Sequence, residues 1–221
     1  MEKVATHPLC LVRPQAPLPY AEALALQQDL VTRRAAGTCA DTLVLLQHPP
    51  VITLGRNADP AGVLATGDQL AAAGVSVVRV ERGGQATYHG PGQWVGYPIV
   101  DLRQRGLGVR RYVTALEEVL LHTCARFGVV AQRQPGRPGL FTGSGKIAAI
   151  GVAVRRGVSF HGFALNVCPD LSHYQWIVPC GLTDVPPTSL ERERGEAPEL
   201  EEVAQALVEE FRAVFARDST A

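Results

Sequence analysis

Residues 82–98 read Arg82-Gly-Gly-Gln-Ala-Thr-Tyr-His-Gly-Pro-Gly-Gln-Trp-Val-Gly-Tyr-Pro98, a stretch with five glycines and two prolines. Glycine permits positive φ angles and lets a backbone approach a ligand closely. Because this cluster includes Arg82, Tyr88 and His89, it predicts a loop shaped around a ligand. A sharp hairpin is the other interpretation, and composition alone does not choose between the two.

Hydrophobic periodicity on both sides of this stretch predicts helices and strands. Helices are predicted at 20–36, 67–73, 109–127 and 199–215. Strands are predicted at 43–46, 51–54, 75–80, 146–154 and 158–167. Cys124 falls on the apolar stripe of the third helix, which predicts a buried core thiol. Helices flanking hairpin-connected strands favour an α+β (mixed α/β) fold with a mixed sheet over a strict βαβ array.

Composition limits the class of protein. The 221 residues are 46% apolar and 19% charged, which predicts one globular domain over 1–221. The formal net charge is zero, which argues against broad nucleic-acid binding. Neither a signal peptide nor an apolar run of about 18 residues is apparent, so a soluble, cytoplasmic protein without a membrane partner is expected. Five cysteines without a C-x-x-C pair predict free thiols.

Several ligand motifs fail on spacing. Gly143-Ser-Gly-Lys146 lacks the first glycine of a phosphate loop, and Ile147 stands where a hydroxyl residue is required. A dinucleotide fingerprint, a serine nucleophile elbow and a metal-binding histidine spacing are also missing. The sequence therefore predicts no nucleotide or metal cofactor.

Cys180 lies between Pro179 and Gly181, in a turn context. Catalytic groups often stand on loops that a rigid scaffold holds, and the N–H of Gly181 would be accessible to a developing oxyanion. Pro-Cys-Gly also occurs in ordinary turns, so this segment alone is weak evidence for a nucleophile.

The run Arg82–Gln93 resembles the signature of the lipoate-protein ligase B family, the lipoyl (octanoyl) transferases. Four other segments resemble further blocks of that family in the same order: 48–56, 146–151, 159–166 and 179–181. The resemblance covers about residues 20–190, and the helix at 199–215 lies beyond it. Cys168 and the double proline in Val185–Leu190 depart from the family pattern, so the local path near the site stays open.

The resemblance implies a fold shared with lipoate and biotin protein ligase catalytic domains. It implies transfer of an octanoyl group from acyl carrier protein to one lysine of a lipoyl domain. The acceptors implied are the 2-oxoacid dehydrogenase complexes and the glycine cleavage H protein. No cofactor is implied beyond the acyl group on the carrier's phosphopantetheine, and a monomer is expected.

Carried over by position, the resemblance makes Cys180 the acyl-thioester cysteine and Lys146 the lysine that lowers the pKa of its thiol. A free cysteine is mostly protonated at neutral pH, and a nearby ammonium favours the thiolate. The substrate-binding residues that the resemblance implies are Arg82, Gly83, Gly84, Gln85, Ala86, Thr87, Tyr88, His89, Ala149, Ile150, Gly151, Gly162, Phe163 and Ala164.

Some roles have two interpretations. Cysteine–histidine pairing is the commoner arrangement, so His89 and His161 are alternative acid–base groups; here His89 is assigned to binding and His161 to the lining of the site. Tyr88 is either part of an acyl channel or a core aromatic. Arg82 either attracts an acidic partner or carrier phosphate, or forms a structural salt bridge.

Three other functions compete with octanoyl transfer. An ATP-dependent lipoate or biotin ligase on the same fold would not need Cys180. A cysteine hydrolase using Cys180 with His89 or His161 would release free fatty acid without a protein acceptor. A non-catalytic binding module for acyl carrier protein or lipoyl domains would form no covalent adduct.

Overall fold

A computed structural model of the chain describes residues 9–178 and 185–217. The five helices of these ranges are α1 (Tyr20–Ala35), α2 (Gly67–Ala72), α3 (Val109–Arg126), α4 (Leu190–Arg194) and α5 (Leu200–Arg217). The ten strands are β1 (Leu9–Val12), β2 (Asp41–Leu46), β3 (Val51–Leu54), β4 (Ser76–Arg79), β5 (Ala86–His89), β6 (Gln93–Ile99), β7 (Gln132–Gln134), β8 (Arg137–Phe141), β9 (Lys146–Arg155) and β10 (Val158–Asn166).

The strands form two mixed sheets. The larger has the order β1-β2-β6-β10-β9-β8-β7, in which only β1 and β2 are parallel. The smaller has the order β4-β3-β5, with β4 parallel and β5 antiparallel to β3. The chain therefore passes from the small sheet to the large one between β5 and β6.

Helices cover both faces of the large sheet. Alternate residues of a strand point to opposite faces, so Leu43 and Leu45 of β2 pack with α3 and α5. Val44 and Leu46, the residues between them, pack with α1 on the other face. The small sheet has its own apolar core against α2 and a 3₁₀ turn at Leu171–Trp176. The site lies where this smaller layer meets the large sheet.

The structure confirms the predicted fold class, helices and long strands, with ends that differ by a few residues. Cys124 is fully buried in α3, and burial raises the pKa of its thiol to about 12, as expected for a core thiol. The stretch 82–98 is not a hairpin, because β5 and β6 belong to different sheets. Sequence reasoning did not predict β1, β7 or β8. It also expected a loop over 82–98, where the structure has the strands β5 and β6, because glycine-rich composition obscures the strand pattern.

No helix within 9–178 and 185–217 is long and apolar enough to cross a membrane. The same ranges contain no disulfide and no group of three or more residues suited to hold a metal ion.

Candidate active site

A partly open cavity lies between the two sheets, with about 460 Å³ of space not filled by atoms, part of which is open to solvent. The loop after β4 together with β5 forms one wall, β6, β9 and β10 form another, and Tyr20 of α1 closes one side. The predicted substrate-binding segments, far apart in sequence, therefore meet at one cavity.

Eleven of the fourteen predicted substrate-binding residues line this cavity. They are Arg82, Gly84, Gln85, Thr87, His89, Ala149, Ile150, Gly151, Gly162, Phe163 and Ala164. Their role in binding stays a prediction.

Gly83, Ala86 and Tyr88 do not line the cavity. Side chains of β5 alternate, so Thr87 and His89 face the cavity while Ala86 and Tyr88 pack into the core of the small sheet. Tyr88 is 1% exposed, and its hydroxyl hydrogen-bonds Nδ1 of His173 at 2.7 Å, which is the core-aromatic interpretation. Gly83 instead donates its N–H to the carbonyl of Val152 in β9, at 3.0 Å.

Arg82 is buried and holds the loop in shape. Its Nη2 lies 2.8 Å from the backbone carbonyl oxygens of Thr53 and Gln85, and its Nη1 lies 3.0 Å from that of Gly83. Only 7% of the residue is exposed, which leaves little of the guanidinium to attract a distant acidic surface. The contacts to the loop favour a positioning role for Arg82.

Gly151 lets this loop approach β9. A Cβ atom at Gly151 would lie 3.0 Å from both Arg82 Cδ and the carbonyl oxygen of Gly83. A side chain here would require the loop to shift by a few tenths of an ångström, so glycine favours the close approach that forms this wall of the cavity.

Two buried histidines, His89 and His161, line the cavity, and the ring centre of a third, His48, lies 5.9 Å from that of His89. Burial lowers the pKa of His48 to about 4 and those of His89 and His161 to about 3. The three rings are therefore neutral at physiological pH.

His161 has strained backbone geometry. Its φ is +53°, although only 1% of the residue is exposed, and its backbone N–H donates to Oε1 of Gln27 at 2.8 Å. Its Nδ1 lies 3.3 Å from the hydroxyl of Tyr20. Strain of this kind concentrates at functional sites, which agrees with the prediction that His161 lines the site.

Sequence reasoning missed the aromatic neighbours of these histidines. Tyr20, Val95 and Tyr97 also line the cavity, and the Tyr97 hydroxyl donates to Nε2 of His48 at 2.7 Å. The His48 tautomer follows from its other nitrogen, which lies 2.6 Å from the carbonyl oxygen of Leu18. The sequence offered one signal for this group, because His48 lies in a segment that resembles the family. Tyr20 lies on the apolar stripe of a predicted helix, and that pattern indicates only packing against the core.

Acid is expected to destabilise this fold through the buried histidines. A histidine in the unfolded chain has a pKa of about 6.5. Below that pH the three histidines His48, His89 and His161 bind protons in the unfolded chain but stay neutral in the folded one, which stabilises the unfolded state. The free energy of unfolding should fall between pH 7 and pH 5, by up to about 2 kcal/mol per histidine. Urea denaturation at the two pH values measures it, and His48→Gln should weaken the dependence. Equal stability at both would contradict the neutral assignment.

Lys146 begins β9, where the chain after residue 184 runs beside it. Its N–H donates to the carbonyl of Pro186 at 2.8 Å, and its carbonyl accepts from the N–H of Thr188 at 3.0 Å. Its Nζ lies 5.3 Å from the ring centre of Phe141. A Cβ atom at Gly145 would clash with the carbonyl oxygen of Pro186, so this glycine (φ +153°) leaves room for the segment that passes Lys146. The double proline, unlike the family pattern at the sequence level, thus lies beside Lys146.

Cys180, the predicted nucleophile, lies outside the described residues, so the pairing of Cys180 with Lys146 stays a prediction. Among the cysteines that are described, burial raises the pKa of the Cys39, Cys124 and Cys168 thiols. Cys10 lies on the edge strand β1 and does not line the cavity. These environments do not favour a thiolate at Cys39, Cys124 or Cys168.

Residues 19–212 match the model of the lipoyl protein ligase A/B catalytic domain. The chain belongs to this family. It is 50% identical over 211 residues to an octanoyltransferase of Acidobacterium capsulatum, covering 89% of this chain and 86% of that one. It is also 50% identical over 200 residues to an octanoyltransferase of Chloroflexus aurantiacus, covering 89% and 90% of the two chains.

The fold agrees with solved structures of the lipoyl protein ligase A/B family. A bipartite lipoate protein ligase from Thermoplasma acidophilum superposes with a TM-score of 0.68 at 17% identity, covering 93% of this chain and 82% of that one. The predicted family, fold class and enzyme class, an acyltransferase, are confirmed.

Proposed function

We propose that this protein transfers an octanoyl group from acyl carrier protein to a specific lysine of a lipoyl domain, through a thioester on Cys180. The observation that carries the proposal is 50% identity, across nearly the whole chain, to proteins named octanoyltransferase. The cavity supports it, because its histidines are neutral and its buried arginine is engaged by the loop. An uncharged acyl chain has no charge to pair with, so such a cavity suits it.

The reaction proceeds in two acyl transfers. The thiolate of Cys180 attacks the carbonyl carbon of the octanoyl thioester, a new C–S bond forms, and the C–S bond to phosphopantetheine breaks. The departing thiolate takes the proton that Cys180 gave up, with Lys146 as the carrier of that proton.

The second transfer forms an amide. The amine of the acceptor lysine attacks the acyl-cysteine carbonyl, a C–N bond forms and the C–S bond to Cys180 breaks. The proton lost by the amine passes to Lys146 and then to the departing Cys180 thiolate, so the enzyme returns with a free thiol. Thioester and amine become amide and thiol, a balance that requires no ATP or metal ion. The proposed donor is acyl carrier protein, and the acceptors are lipoyl domains such as those of the 2-oxoacid dehydrogenase complexes and the glycine cleavage H protein.

Intact mass spectrometry tests the proposal. Incubation with octanoyl-carrier protein, without ATP or acceptor, should add one octanoyl group that neutral hydroxylamine removes, since a thioester is cleaved and an amide is not. The chain has two lysines, Lys3 and Lys146, so a stable amide adduct is easily mapped. Acceptor labelling that depends on ATP and lacks an enzyme adduct would establish the ligase alternative. Release of octanoate without acceptor would establish a hydrolase, and tight binding without an adduct would establish a binding module.

A further inference from the structure

A chain of buried hydrogen bonds leads from the cavity to the strand of Lys146. His89 Nδ1 lies 2.6 Å from Gln93 Oε1, and Gln93 Nε2 lies 2.8 Å from Asn166 Oδ1. Asn166 Nδ2 lies 2.9 Å from the carbonyl oxygen of Thr188, whose own N–H donates to Lys146 O. The three side chains of His89, Gln93 and Asn166 are at most 6% exposed.

Backbone carbonyls determine the direction of this chain. A carbonyl oxygen only accepts, so Thr188 O must face the NH₂ group of Asn166. In the same way, the carbonyl oxygen of Tyr88, 3.4 Å away, must face the NH₂ group of Gln93. Gln93 therefore presents its oxygen to His89, and Nδ1 of His89 must carry the proton.

The other ring nitrogen of His89 is left as an acceptor. A neutral imidazole has one N–H and one lone pair, and burial keeps His89 neutral by lowering its pKa to about 3. The ring lines the cavity, and no residue of the described ranges hydrogen-bonds its Nε2. Its lone pair is therefore available to a molecule in the cavity.

The chemistry of the substrates limits what this lone pair can bind. An acyl chain has no hydrogen-bond donor, and a thioester only accepts. N–H donors come from the amine of the acceptor lysine and from the amides of the pantetheine arm. We propose that Gln93 and Asn166 are positioning residues that hold His89 as its Nδ1–H tautomer, so that Nε2 accepts a hydrogen bond from a substrate N–H group. This inference rests on the proposed function and assigns the acceptor amine as the donor.

An acceptor at this position orients the nucleophile. An amine attacks a carbonyl through its own lone pair, and binding one N–H to His89 Nε2 restricts where that lone pair points. Orientation of reacting groups is a large source of rate enhancement. His89 would contact substrate directly, whereas Gln93 and Asn166 would act through His89.

The tautomer is measured without any activity assay. In wild-type protein labelled with ¹⁵N-histidine, long-range ¹H–¹⁵N correlation should show His89 with a protonated Nδ1 and an unprotonated Nε2. The His89→Gln spectrum assigns its signals by their loss. An Nε2–H tautomer at His89 in the wild type would overturn the inference, whatever reaction the enzyme catalyses.

Gln93→Met tests the consequence, since it keeps the volume and removes the acceptor for Nδ1–H. Transfer from isolated acyl-enzyme to a lipoyl domain should slow about tenfold in single turnover, which corresponds to ~1.4 kcal/mol, while enzyme acylation changes less than about twofold. Thr123→Val is the matched control, because it removes a buried hydrogen bond within α3, outside the cavity, and both half-reactions should be retained.

The two half-reactions separate the possible donors. Slowing confined to enzyme acylation would place the N–H donor on the pantetheine arm, which keeps the role of Gln93. Unchanged rates in both half-reactions, with the His89 tautomer altered, would overturn it. If wild-type enzyme forms no acyl adduct, the proposed function fails, and the NMR measurement still decides the tautomer.

Discussion

Octanoyl transfer by the Cys180→Ala variant is expected to fall by at least about 10³-fold, and the hydroxylamine-sensitive adduct should disappear. The physical reason is that removing a nucleophile removes the covalent route entirely, and what is left is catalysis by substrate binding alone. The measurement combines intact mass after incubation with octanoyl-carrier protein and the initial rate of lipoyl-domain acylation.

Cys168→Ser is the matched control for this experiment. Cys168 directly follows the Asn166-Val167 pair and is partly buried, and its N–H donates to Gly92 O at 3.0 Å. Burial raises the pKa of its thiol, so it is a poor nucleophile, and the variant should retain the adduct and most of the rate. Full activity of Cys180→Ala would exclude the thioester route and favour an ATP-dependent ligase.

Lys146→Met should produce the second large effect, a loss of about 10²-fold or more at neutral pH. A cation next to a thiol stabilises the thiolate, so its removal should raise the apparent pKa of the Cys180 thiol toward or above the ordinary value of about 8.5. The rate of alkylation follows the thiolate, so it should rise with pH in both proteins, and in the variant this rise should occur at higher pH.

The readout is iodoacetamide alkylation of Cys180 against pH, followed by peptide mass spectrometry so that each thiol is measured separately. Phe141→Leu is a control for packing, since the Lys146 ammonium lies 5.3 Å from the Phe141 ring and this change leaves the amine in place. An unchanged alkylation profile in Lys146→Met would remove Lys146 from the activating role. His89 and His161 would not replace it readily, because their lowered pKa values make them weak bases.

Sequence reasoning succeeded where a property is local. The apolar stripe of α3 predicted both the helix and the buried thiol of Cys124, because the spacing of apolar residues at about 3.6 positions can be seen in the sequence alone. It also excluded a phosphate loop at Gly143–Lys146, and Lys146 in fact begins a strand rather than a helix. The stretch 82–98 was harder, since turn-rich composition does not say which sheet the chain pairs with on either side.

The same reasoning identified only some of the residues that line the cavity. Resemblance selected segments, and eleven of the selected residues line the cavity. Ala86 and Tyr88 were selected with their neighbours but face the other way, since a strand alternates its side chains. Tyr20 and Tyr97 were missed because aromatic residues on apolar faces read as packing.

The sequence by itself determined the family, the mixed fold and the acyltransferase chemistry, because motif order and hydrophobic period are properties of the chain alone. Only the tertiary structure decided that Arg82 supports the loop, that three histidines are neutral, and that His89 keeps its proton on Nδ1. Those properties depend on burial and on contacts between residues far apart in sequence, such as Gln93 with Asn166. Only tertiary packing establishes such contacts, and they determine the protonation and hydrogen bonding of Arg82 and His89 in the glycine-rich stretch.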